Sequence, residues 1–586
     1  MFPIAILLAL FATHATADDW ATYYEASGYK RTPSYSKTIA YCQRLADASP
    51  WVQYSSFGVS PQGRALPLVI VDRNGNFTPE AVRRTDNVVF LIQAGIHSGE
   101  IDGKDAGLML VRDIAITKQL AALVDHATIL FIPIFNVDGH ERSGPFNRPN
   151  QNGPEEMGWR TTAANLNLNR DYLKADAPEM RAWLELYRAW LPEFFADCHV
   201  TDGADYQYTM TYTLELLGDM DEGLTKWTAD RYLAPMERRM ADAGYPLISY
   251  QWYRRHNDPR SGLVSWVATP RYSQGYTAVQ NRPGLLIETH SLKDYRTRVQ
   301  GTYTMLVNTL EVLGAEHETL HDLVAEADRR TARPEFRSHP FPLRFRMSLQ
   351  DSVMIDFLGI KYDVVESDLT GGKWYRYTGE PVTYQIPFFN HQVVAASVDL
   401  PEAYIIPPEW SDVIDRLELH GVQLRRTQRP ETIPVRLYRM QSPEWQAEPY
   451  EGRHRVTYQH ETVERRVSFP AGSAVVDMNQ RAARVAAHAL EPDGPDSFLS
   501  WGFFDTIFEQ KEYIETYVIE ELARKMIEEN PALGEEFDAW KEDHPDADPR
   551  AIRHWLYRRS PYWDHTKNLY PVGRIMDRST VEAVLD

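Results

Sequence analysis

Two cysteines in 586 residues allow at most one intramolecular disulfide, so Cys42 and Cys198 cannot be the scaffold of this chain. Cys198 directly precedes His199, and neighbours along a strand point to opposite faces, which makes Cys198 a small packed thiol rather than a nucleophile. No apolar run reaches the about 20 residues that a transmembrane helix needs, so no membrane span is expected. Positive charge is short: 62 Lys and Arg against 82 Asp and Glu leave a formal charge of −20, which disfavours nucleic acid and anionic membranes as partners. Repeats, low-complexity tracts and phosphate-binding glycine loops are absent. Aromatics are abundant instead, with 15 Trp, 32 Tyr and 22 Phe in a chain that is 43% hydrophobic, and this excludes disorder. A chain of 586 residues outgrows a single hydrophobic core, so two or more domains are expected.

Residues 1–17 carry no charged side chain, hold a short apolar stretch over 4–12, and end in the small residues Ala15-Thr-Ala17. They resemble a secretory signal peptide cut near Ala17, and the protein is expected to be exported, to a periplasm or the extracellular space. From about residue 88 strand-like and helix-like segments alternate. Val88-Val-Phe-Leu-Ile-Gln-Ala94 and residues 128–135, 193–198 and 285–288 are apolar runs without alternation, as in strands covered on both faces. Helical periodicity is expected over 104–116, 178–190 and 303–314. The pattern predicts an α/β unit with a largely parallel sheet and helices on both faces. Past residue 335 short alternating runs separated by Gly and Pro predict an antiparallel β region to about 470. Helices are expected there over 409–420, 512–529 and 549–559, with Asn530-Pro531 as a stop. The expected division is a signal peptide over 1–17, a catalytic unit over 18–325 and an accessory region over 335–586.

The chemistry gathers at the ends of the apolar runs, where a parallel sheet places its sites. Gly95-Ile-His-Ser-Gly-Glu100 follows the first run, and His97 and Glu100, three residues apart, can grip one zinc ion. His199 follows another run and would complete a His-Glu-His set with one position open for water; Asp197 and Asp202 are nearby carboxylates able to orient an imidazole. Glu288 closes the run Leu285-Leu-Ile and is costly to bury without a task, such as moving a proton beside a metal. Arg160, after Trp159, could polarise a carbonyl. Arg170, beside Asn169 in Asn165-Leu-Asn-Leu-Asn-Arg-Asp-Tyr172, suits a bidentate carboxylate partner. Each residue alone is unspecific: a lone histidine is more often a satisfied core residue, and a lone arginine is more often at the surface.

Gly95-Ile-His-Ser-Gly-Glu100, Asn136-Val-Asp-Gly139, Trp159-Arg160, Asn169-Arg170, His199 and Glu288 together resemble, in order, the zinc carboxypeptidases of the carboxypeptidase A type, over about residues 50–315. The resemblance implies an α/β fold around an eight-stranded mixed sheet and one zinc ion per chain held by His97, Glu100 and His199. It further implies Glu288 as general base and then acid, Arg160 as carbonyl polariser, and Asn169 with Arg170 as anchor of a terminal carboxylate. A tyrosine over the bound C-terminal residue is implied as well, and both Tyr272 and Tyr276 lie in the right stretch. The residue that reads the substrate side chain, and the role of 335–586, are left open by the resemblance.

The leading expectation is an exported zinc metallocarboxypeptidase that removes C-terminal residues from peptides or proteins by zinc-activated water. A second reading keeps the metal and makes it a deacylase or amidase of N-acyl amino acids or cell-wall peptides. A third is a secreted binding protein on the same scaffold, against which the intact set of His97, Glu100, His199 and Glu288 argues.

Overall fold

A computed structural model of the chain describes residues 20–218, 220–250 and 252–585. The segment 1–17 expected to be a signal peptide lies outside them. Ten strands occur in the first half: β1 (Val52–Val59), β2 (Ala65–Val71), β3 (Val88–Ala94), β4 (Ala127–Ile132), β5 (Phe194–Thr201), β6 (Met210–Thr213), β7 (Leu247–Ser249), β8 (Trp252–Tyr253), β9 (Leu263–Val264) and β10 (Gly284–His290). Eight form one mixed sheet in the order β1-β2-β4-β3-β5-β10-β6-β7. Its centre, β4-β3-β5-β10, is parallel. The flanks are where antiparallel pairs enter, β1 with β2 and β10 with β6.

Strand β3 explains why these runs show no alternation. Val88, Phe90, Ile92 and Ala94 enter one apolar cluster, and Val89 and Leu91 enter another. Helices that matter for the sheet and the site are α1 (Tyr35–Ala48), α2 (Asp102–Ala115), α3 (Pro178–Trp190), α4 (Ser273–Val279) and α5 (Tyr295–Ala332). Side chains of α2 and α5 fill the first cluster, while Trp183 and Tyr187 of α3 fill the second. Both faces are therefore dry, as expected for a parallel centre. The last helix spans 38 residues and not the expected 303–314. Beyond Gly314 its exposed face turns charged and masks the period, but no breaker appears before Pro334, which cannot continue a helix.

The second half adds β11 (Phe341–Met347), β12 (Val353–Glu366), β13 (Lys373–Phe389), β14 (Gln392–Val398), β15 (Ala403–Ile406), β16 (Arg425–Arg426), β17 (Glu431–Trp445), β18 (Val456–Phe469), β19 (Ala474–Asp477) and β20 (Gly573–Ile575). The β12–β13 hairpin joins the first half through the parallel pair β13–β9. A six-stranded sheet runs β16-β19-β15-β20-β17-β18, so β20, which follows three helices over 516–557 and precedes a last helix, Arg578–Leu585, enters between β15 and β17. Asn530-Pro531 ends one helix as expected. Pro531 then opens another, Pro531–Asp543, because the first helical position needs no N–H.

Candidate active site

Three neighbouring strand ends bring the expected residues together. His97 and Glu100 lie on the turn leaving β3, His199 lies on β5, and Glu288 on β10 is in direct register with His199. The turn depends on two glycines. Gly95 has φ +67°, where other residues are strained. At Gly99 a Cβ would stand 2.6 Å from Arg148 Cγ and 2.9 Å from the Gly158 carbonyl. That close approach lets the Arg148 stem cross the turn and deliver its guanidinium to the site.

Glu100 is the hub. Its Oε1 lies 3.1 Å from His97 Nδ1, 2.7 Å from Arg148 Nη1 and 3.0 Å from Arg160 Nη1. Its Oε2 accepts from His199 Nδ1 (3.0 Å) and from the Val200 N–H (3.1 Å). Burial alone would raise the Glu100 carboxyl, but His97 and Arg148 beside it hold it well below the ordinary range. Burial pushes His97 down to about 4. Burial would lower His199 too, yet Asp197 and Glu100 draw it well above its usual value. The far nitrogens are held from outside: His97 Nε2 is 2.9 Å from Asn167 Oδ1, and His199 Nε2 is 2.9 Å from Asp197 Oδ2. The second contact has the distance of a hydrogen bond but not the angle. Asp202 accepts from Asn150 Nδ2 instead and orients neither imidazole.

This donor set suits a zinc ion. Two imidazole nitrogens and a carboxylate oxygen, all within 4.8 Å of one another and all buried, are a known zinc combination. His97 Nδ1 makes no satisfactory hydrogen bond although it is buried, and the same holds for Glu288 Oε2. Burial raises Glu288 to about 8, so it can hold a proton near neutrality.

The cleft in front of the cluster measures about 440 Å³, and Arg148, Arg160, Asn169, Arg170, Tyr272 and Gln274 are among its walls. Arg160 is held in place by the Asn136–Gly139 turn. Asn136 Nδ2 donates to the Arg160 carbonyl, and the Gly139 carbonyl accepts from the Trp159 N–H at 2.7 Å. The Arg170 guanidinium lies 4.5 Å from the Tyr272 ring centre, and its Nη1 donates to the Asn169 carbonyl. Asn169 Oδ1 accepts from the Ser273 N–H, which leaves the amide NH2 to donate elsewhere. Tyr272 reaches the cleft and Tyr276 does not. Tyr276 is 1% exposed, packs on Trp183 and Tyr187, and pairs its hydroxyl with His420 Nδ1. Four residues further along, it sits inside α4 and faces the core, so it is withdrawn as a substrate contact.

Arg148, Asn167 and Gln274 escaped sequence reading. Gln274 is 1% exposed, borders the cleft, and its Nε2 has no partner among the described residues. Only Asn167 carried a signal, as the middle asparagine of the Asn-Leu-Asn-Leu-Asn run.

The chain thus carries a buried His-Glu-His cluster, with the donor set of a metal site, at the strand ends of a parallel-centred α/β sheet. Residues 38–279 match the family model described as zinc carboxypeptidase. Carboxypeptidase 2 of Trichophyton rubrum is 24% identical over 491 residues, covering 80% of this chain and 84% of its own. Carboxypeptidase 2 of Trichophyton equinum is 24% identical over 488 residues, at 80% and 84%. Four fifths of the chain cannot fit within residues 20–332, so the similarity to these relatives extends into the second half. Among solved structures, a metallo-carboxypeptidase from Burkholderia cenocepacia is similar, with a TM-score of 0.37 and 17% identity over 48% of this chain and 70% of its own.

Proposed function

We propose that the protein is an exported zinc metallocarboxypeptidase that hydrolyses the last peptide bond of a chain. One observation carries the reading: the His97, Glu100 and His199 ligand atoms converge while Glu288, in register with His199, turns a buried unpaired oxygen toward the same cleft. His97, Glu100 and His199 would hold the zinc, which supplies Lewis-acid polarisation and makes hydroxide accessible near neutral pH.

The remaining work falls to the chain's own groups. Arg170 pairs with the free terminal carboxylate and Asn169 donates a further hydrogen bond, with Tyr272 stacked beside the guanidinium. Arg160 donates to the scissile carbonyl oxygen as negative charge develops there. Glu288 takes a proton from the attacking water and passes it to the departing amine. Export rests on the character of residues 1–17. Among the described residues no helix is long and apolar enough to cross a membrane. Residues 18–325 would carry catalysis, and residues 335–586 would support the cleft.

A peptide library digested by zinc-replete protein and read by mass spectrometry tests the assignment. Single residues should leave from free C-termini, amidated peptides should survive, and a chelator should stop cleavage until zinc is returned. Internal cleavage, or hydrolysis of N-acyl amino acids with no peptide turnover, would contradict it. Gln274 gives a narrower expectation: its unpaired amide donor at the inner wall suits an acceptor on the departing side chain. Gln274→Glu should move preference toward C-terminal Lys or Arg by about tenfold or more, since a hydrogen bond to a charged group contributes about 1.5–3 kcal/mol. Competition between Lys- and Gln-terminated peptides would measure it.

A further inference from the structure

At the opposite ends of the parallel strands from the cleft, Asp86, His126 and His317 meet with one donor atom each inside a 4.8 Å span. Asp86 lies two residues before β3, His126 immediately before β4, and His317 on α5. The first two are neighbours because β3 and β4 pair in parallel from Val88 and Ala127 onward, and the Val88 N–H donates to the His126 carbonyl. We propose that these three residues form a second metal site, distinct from the catalytic cluster, that takes a zinc-class divalent cation and ties the entry to β3, the entry to β4 and α5 together.

Three observations carry the proposal. Asp86 Oδ2 stands 3.7 Å from His126 Nδ1 and 3.7 Å from His317 Nε2. Both separations are too long for a hydrogen bond, yet each can be spanned by two metal bonds of about 2.0–2.2 Å. His317 Nδ1 donates to the Gly314 carbonyl at 2.8 Å, so Nε2, on the Asp86 side, is the ring atom that a neutral His317 offers to a metal. The two rings stack with centroids 4.0 Å apart at 14°, an arrangement that two imidazolium ions would resist and two neutral ligands accept. Two imidazoles and one carboxylate favour zinc, copper or nickel over the oxygen-seeking calcium and magnesium. Asp86 and His126 are 69% and 46% exposed, so an ion can enter and water can complete its shell. His321, one turn further along α5, pairs with Glu193 and takes no part.

Equilibrium dialysis of the full chain against Zn2+ after chelator stripping, with metal counted by mass spectrometry, tests this. Wild type should hold two equivalents. His126→Gln combined with His317→Gln should lose one, and His97→Ala combined with His199→Ala should keep one. In the latter protein added Zn2+ should still raise Tm, and Ca2+ should not. If the first pair unfolds the chain by circular dichroism, the exposed Asp86→Asn must show the same loss. Unchanged stoichiometry on removing His126 and His317, or no metal at all once His97 and His199 are gone, overturns the proposal. An empty catalytic cluster would instead appear as one equivalent in wild type that depends only on His126 and His317.

Discussion

Glu288→Gln should lower kcat on a peptide substrate by about 10²–10⁴-fold, the range that a positioned general acid–base supplies, with KM and bound zinc nearly unchanged. Gln is almost isosteric with Glu, so the register between β10 and β5 and the packing of the strand end survive. What goes is the capacity to accept a proton and return it. The site is built for that exchange: one Glu288 oxygen is enclosed without a partner, and burial raises the group to about 8. A structural glutamate in an ion pair would behave differently, because its replacement would cost stability and leave turnover intact. Steady-state kinetics alongside metal analysis separates the two outcomes. Full activity in the variant would remove Glu288 from the mechanism.

The candidate cluster was legible as a spatial grouping because each member closes, or follows by a few residues, an uninterrupted apolar run, and such runs are the buried strands of a parallel centre. Order along the chain then supplied the rest: His97, Arg160, Arg170, His199 and Glu288 occur in a sequence that few folds share. The choice between Tyr272 and Tyr276 was not legible. Both flank a short segment, and only the start of α4 at Ser273 sets one at the cleft and turns the other to the core. Arg148 was invisible for another reason. Its arrival depends on the missing Cβ at Gly99, a contact between segments about fifty residues apart. The second metal cluster joins Asp86, His126 and His317 across more than two hundred residues, and no local period announces it.

One turn of the second half of the chain reaches the candidate cluster through Asn167, and a further large effect is expected there. Glu451 lies in the tight turn between Tyr450 and Arg453 with φ +51°, a conformation that costs a non-glycine residue about 1–3 kcal/mol. Its Oε2 accepts from the Asn167 N–H at 2.9 Å. Asn167 Oδ1 in turn lies 2.9 Å from His97 Nε2 and accepts from the Asn169 N–H at 3.0 Å. That amide therefore keeps the proton on His97 Nε2 and leaves Nδ1 to face Glu100. Removing an outer partner of a ligating imidazole costs about 10–100-fold in metal affinity, so Asn167→Ala should weaken zinc binding by that factor. Glu451→Ala should act in the same direction by less, and Glu451→Gln, which retains an acceptor oxygen, should restore most of the loss. Other contacts pin the same walls. Arg453 and Arg416 converge on Asp176, and Asp496 holds Arg271 beside Tyr272. The zinc dissociation constant, measured by competition with a chelator, distinguishes this chain of contacts from general loosening, because loosening alone would lower Tm in the metal-free protein and not respond to the Gln substitution. Wild-type affinity in Asn167→Ala would break the link between the two halves at its first step.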